Sequence, residues 1–93
     1  ELRMCTNIVE RTNVSGGGRG AQGWFTLAEV SVSYDHPFHV QLEHALNIDF
    51  TNESAGVGAR VAVELTLESA KELARALKAA VDRADQYEAT GYA

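Results

Sequence analysis

Three stretches of this chain alternate apolar and polar residues with a period of two, and a fourth, the last, repeats its apolar residues at helical spacing. Trp24 to Asp35 sets Ala28, Val30, Val32 and Tyr34 on one face and Glu29, Ser31 and Ser33 on the other. His44 to Phe50 does the same with Leu46, Ile48 and Phe50 against Ala45, Asn47 and Asp49. Ala59 to Leu65 sets Val61, Val63 and Leu65 against Arg60, Ala62 and Glu64. Successive side chains of a strand point to opposite faces, so each stretch predicts a strand with one apolar side. Such alternation favours antiparallel pairing with one sheet face covered. Cys5 to Val14, rich in Thr, Val and Ile, adds a strand of less regular alternation.

From Leu67 to about Gln86 the period changes. Ala70, Leu73, Ala74, Leu77, Val81 and Ala84 form one stripe of a helix. Thr66 is placed to cap it, and Glu68 lies in the first turn, where the helix dipole favours an anion. Lys71, Glu72, Arg75, Lys78, Asp82 and Arg83 fall mostly on the other side, with Lys78 and Asp82 spaced for an i,i+4 pair. The predicted fold is α+β: an antiparallel sheet of about four strands with one C-terminal amphipathic helix packed on one face. A chain of 93 residues has material for one core. Residues 1–93 therefore read as a single domain, ordered over about 4–87, with frayed ends at Glu1 to Arg3 and from Ala89 to Ala93.

Two connections stand out. Ser15 to Gly23 is so dense in glycine that it predicts a mobile link or a lip over a ligand. A strand follows it, whereas phosphate loops lead into a helix, so nucleotide binding is disfavoured. Asn52 to Gly58 reads as a turn.

Thirteen acidic residues against eight basic ones give a net charge of -5. This disfavours a nucleic-acid partner, since phosphate binding needs a basic footprint. No run approaches the apolar length of a membrane span, and no signal segment is visible. The single cysteine, Cys5, has no internal disulfide partner, which fits a reducing compartment. The expectation is a cytoplasmic protein without a membrane partner.

The strongest chemical signal is the run Asp35, His36, Pro37, Phe38, His39, Val40, Gln41, Leu42, Glu43, His44, which holds all three histidines of the chain. Imidazole is the commonest metal ligand and the side chain that titrates nearest neutrality. Pro37 forces an extended or turned backbone, so one loop could bring His36 and His39 together, with His44 arriving at the start of the next strand. One expectation is a metal site of His36, His39 and His44, with Cys5, Asp35 or Glu43 completing or supporting the shell, for a divalent ion with Zn favoured. The alternative is a metal-free enzyme in which His36, His39 or His44, beside Asp35 or Glu43, acts as general acid or base in an isomerisation, cyclisation or dehydration.

The polar sheet face is the other candidate surface, carrying Glu29, Ser31, Ser33, Asn47, Asp49, Arg60, Ala62 and Glu64. A sheet covered on one side leaves it to solvent, to a second copy, or to a small-molecule ligand held near Glu29, Asp49 and Arg60. A homodimer is expected, and a non-catalytic dimeric binding module using this face is a third functional reading.

Taken in order, these motifs resemble an actinobacterial family of short uncharacterised proteins. The resemblance is carried by Met4-Cys5-Thr6, Gly23-Trp24-Phe25, Asp35 to His39, and Glu43-His44 followed by Leu46 to Phe50. It implies a compact stand-alone protein beginning at Met4, and it brings no catalytic assignment. The expected role is metal binding in small-molecule, specialised metabolism.

Overall fold

The computed structural model describes residues 6–91 of the chain. The alternating segments are strands, in chain order β1 (Ile8–Asn13), β2 (Gly17–Gly20), β3 (Gly23–Thr26), β4 (Glu29–Asp35), β5 (Ala45–Thr51) and β6 (Arg60–Leu65), followed by the helix α1 (Leu67–Thr90). β1, β4, β5 and β6 form one antiparallel sheet in the order β1-β4-β5-β6, and β2 pairs with β3. The α+β class is as expected from the sequence.

Register follows from the alternation. Val32 lies beside Ile48 and Ile48 beside Val63, so one face is a band of branched apolar side chains. Ser33, Asn47 and Glu64 line up across the other face. β1 puts Ile8, Glu10 and Thr12 in line with Tyr34, Val32 and Val30, which is why its alternation reads as impure. As the outer strand it keeps one edge in water, where polar residues cost little.

The glycine run is structured. The backbone N–H of Val14 donates to the Ala28 carbonyl at 3.0 Å and that of Leu27 to Gly16 at 2.9 Å, so the β1–β4 ladder continues into the β2–β3 hairpin. The predicted strand from Trp24 to Asp35 is thereby two strands, interrupted at Leu27 and Ala28. Glycine is needed because the hairpin lies against the start of β6. A Cβ on Gly20 would stand 3.1 Å from the Arg60 carbonyl oxygen and 3.2 Å from that of Gly58. Neither is a side chain that could swing aside.

α1 is capped as predicted: the Thr66 hydroxyl accepts the Ser69 N–H at 3.0 Å. Thr66→Ala is expected to cost about 1 kcal/mol, read as a lower denaturant midpoint with unchanged slope. The helix runs on to Thr90, past the expected end near Gln86, and stops at Gly91 with φ 78°, a left-handed residue whose N–H returns to the Tyr87 carbonyl. Lys78 and Asp82 pair at 2.9 Å.

The helix covers less than the sequence predicts. α1 touches β5 and β6, but Ala70 is its one half-buried residue and every position from Lys71 to Thr90 is exposed. Leu77, in the middle of the apolar stripe, is 62 % exposed. The chain is accordingly 56 Å long and 20 Å thin. Among the described residues no large side chain is fully buried, and the buried ones are Pro37, Ala45 and Ala59.

Candidate functional site

Between the end of β4 and the start of β5, residues 36–44 form the loop that holds the histidines. Pro37 is buried, and it biases the residue before it toward extended backbone. What places the loop is an outward residue of β6. The Glu64 carboxylate accepts the backbone N–H groups of Phe38 at 2.8 Å, His39 at 3.0 Å and Val40 at 2.9 Å. Three successive N–H groups form a small anion-binding concavity, and a carboxylate is the acceptor best suited to it. The Val40 N–H does most to hold the Glu64 carboxyl below its ordinary pKa; partial desolvation opposes this, and the Phe38 and His39 bonds and the His39 charge assist.

The loop thus lies beside the polar face of the sheet and turns part of it into a cleft of about 270 Å³. Its floor carries Ser31, Ser33, Asn47, Asp49 and Arg60, and its rim carries Asp35, His36, Phe38 and Glu64. The Arg60 Nε donates to Asp49 Oδ1 at 2.8 Å across the β5–β6 ladder. Asn47 is the most constrained group. Its Nδ2 donates to the carbonyls of Asp35 and Ala45, both at 3.3 Å, which sets the direction of the amide. Its Oδ1 is buried and accepts no hydrogen bond.

The candidate residues separate along this geometry. The Asp35 carboxylate accepts the backbone N–H of His36 at 2.8 Å. The His36 Nδ1 lies 3.2 Å from the Glu43 carbonyl oxygen; a carbonyl only accepts, so Nδ1 is the donor of this bond. His39 lines a separate shallow groove with Val40, Ala62 and Glu64. The His44 ring packs on Tyr34, centroids 5.3 Å apart and tilted by 31°, and Tyr34 shares its face with Leu46 rather than with the cleft. Among the described residues no group of three His, Cys, Asp or Glu side chains is placed to hold one metal ion. Cys5 lies outside the described residues. Glu29 does not border the cleft, while Asp49 and Arg60 do.

Sequence reasoning placed Glu64 and Asn47 on the polar face and gave neither a role. Each role depends on a contact distant in sequence: Glu64 meets N–H groups some 24 to 26 residues away.

Fold and site define a small α+β domain with a polar cleft on its open sheet face, edged by a histidine-bearing loop. The chain belongs to a family of unknown function (DUF6295), whose model matches residues 4–90. No curated protein and no solved structure matches it. Among the described residues no helix is long and apolar enough to cross a membrane.

Proposed function

We propose that this protein is a binding module whose open sheet face takes a small polar molecule bearing N–H or O–H donors, in the cleft beside the loop 36–44. The observation that carries the reading is Asn47, which borders the cleft and whose buried Oδ1 has no hydrogen-bond donor in the chain. A buried polar atom left unpaired costs about 1–3 kcal/mol, and a ligand donor that reaches it as the Asn47 side chain shifts recovers it. The surrounding charge argues for the same chemistry. Asp35, Asp49 and Glu64 outnumber Arg60, so the cleft favours a neutral polyol or an amine over an anion. His36 adds an imidazole at the rim; this is the support for a metal-free catalytic role in small-molecule metabolism.

The test is a fragment set of neutral polyols and primary amines, followed by amide and side-chain chemical shifts. The expected result is perturbation at Ser31, Ser33 and the Asn47 side-chain amide. Ser33→Val, which fills the cleft without removing a hydrogen bond to Asn47, is expected to weaken binding at least tenfold. If no fragment perturbs the cleft, or Ser33→Val binds as well as the native chain, the reading fails.

Zinc binding by His36, His39 and His44 is a separate proposal that rests on their closeness in sequence. Metal analysis of protein purified without chelator or histidine tag decides it: stoichiometric zinc lost in His39→Ala supports a site, and native protein without metal removes it.

A further inference from the structure

The single chain leaves more surface in water than a folded chain of its mass should. A monomer of 10.1 kDa is expected to expose roughly 5,300 Å², whereas this chain exposes 7330 Å². Its radius of gyration is 15.8 Å, against roughly 12 Å for a compact chain of this length. Trp24, Phe38 and Val57 are exposed singly, whereas on α1 the exposed apolar residues form a row, Leu73, Leu77, Val81 and Tyr87.

We propose that α1 pairs antiparallel with α1 of a second copy about a twofold axis near Leu77, and that this pairing, rather than the polar sheet face, makes the dimer. The inference is independent of the cleft. Ala70, Leu73, Leu77, Ala80, Ala84 and Tyr87 recur with alternating three- and four-residue spacing, the seam by which two helices interlock. Small residues at Ala80 and Ala84 allow close approach of the two backbones. Charge sets the direction. Positions 67–78 carry Lys71, Arg75 and Lys78 against Glu68 and Glu72, and are net positive. Positions 79–90 carry Asp82, Asp85 and Glu88 against Arg83, and are net negative. A parallel pair would set like against like; an antiparallel pair sets positive half against negative half. Area allows the same occupant: a surplus of roughly 2,000 Å² per chain leaves ample surface for the interface of a permanent homodimer. An anionic membrane surface is a poorer match, because the chain carries a net charge of -5.

The experiment uses the full chain in a Cys5→Ser background. Light scattering is expected to give twice the chain mass, and Leu77→Asp is expected to abolish the dimer. Because Leu77→Asp removes the folded unit if pairing and folding are one event, direction and place are read by cross-linking. Ala70 and Ala84 lie equally far from Leu77 on either side. Chains carrying Ala70→Cys co-expressed with chains carrying Ala84→Cys are expected to form the mixed disulfide, and Ala70→Cys alone to form none. A monomeric native chain, a dimeric Leu77→Asp, a disulfide between two Ala70→Cys chains, or a dimer in which the mixed pair never forms would each overturn the proposal.

Discussion

In Glu64→Gln the loop 36–44 is expected to come away from the sheet while the sheet itself stays folded. The readout is amide exchange: Phe38, His39 and Val40 should lose protection together, and Ile48, in the middle of β5, should keep it. The reason is donor counting. Three backbone N–H groups converge on one carboxylate; a glutamine offers one carbonyl oxygen and turns an NH2 toward the remaining donors. The same contact predicts a pH dependence, and the sign follows from the direction of the shift. Glu64 has its pKa lowered in the folded chain. Its contribution to holding the loop is therefore complete above the unfolded-state value, about 4.3–4.5, and is lost as pH falls through the lower folded-state value. From pH 7 down to about 5 the three amides should stay protected, and below that they should open together. Glu64→Gln should show no such transition. Protection at 38–40 that persists in the variant, or that changes between neutral pH and pH 5, would remove Glu64 as the anchor.

How much of this was legible depends on the range of the interaction. The strands β4, β5 and β6 and the helix cap at Thr66 are local facts, written in alternation and in one hydroxyl, and they appear where the sequence puts them. The glycine run was misread because its purpose is tertiary. Gly20 is there so that the hairpin can lie on the Gly58 and Arg60 backbone, and nothing within the run announces that neighbour. The histidines are the opposite case. Closeness in sequence suggested one site, yet a hairpin loop distributes its residues: His36 borders the cleft, His39 a neighbouring groove, and His44 enters β5 in phase with the apolar side, where it meets Tyr34. The polar face is legible from the alternation, but its specific groups come from pairing, which aligns Ser33, Asn47 and Glu64 across three strands. The cover of the apolar side was assigned to α1 from amphipathicity alone, and amphipathicity states that a face needs burying without stating against what.

A hundredfold dilution of the native chain is expected to lower its melting temperature by roughly 6–11 °C. For two chains that fold as one unit, each tenfold dilution costs about 1.4 kcal/mol. In a unit of roughly 150–250 residues, the range into which two chains of 93 residues fall, each kcal/mol displaces the midpoint by about 2–4 °C. The size of the effect rests on how little the single chain buries. With Pro37, Ala45 and Ala59 the buried residues among those described and no large side chain fully out of water, one copy lacks the interior that stabilises a domain of this length. Dilution then removes the partner that supplies it. The cleft lies on the opposite, polar side of the sheet and does not draw on that contact. Ser33→Val should therefore show the same dependence on concentration as the native chain, even where its fragment binding is lost. A melting temperature that stays constant across the hundredfold range would mean that one copy is the complete folded unit, and the pairing through Leu73, Leu77 and Tyr87 would have to be abandoned.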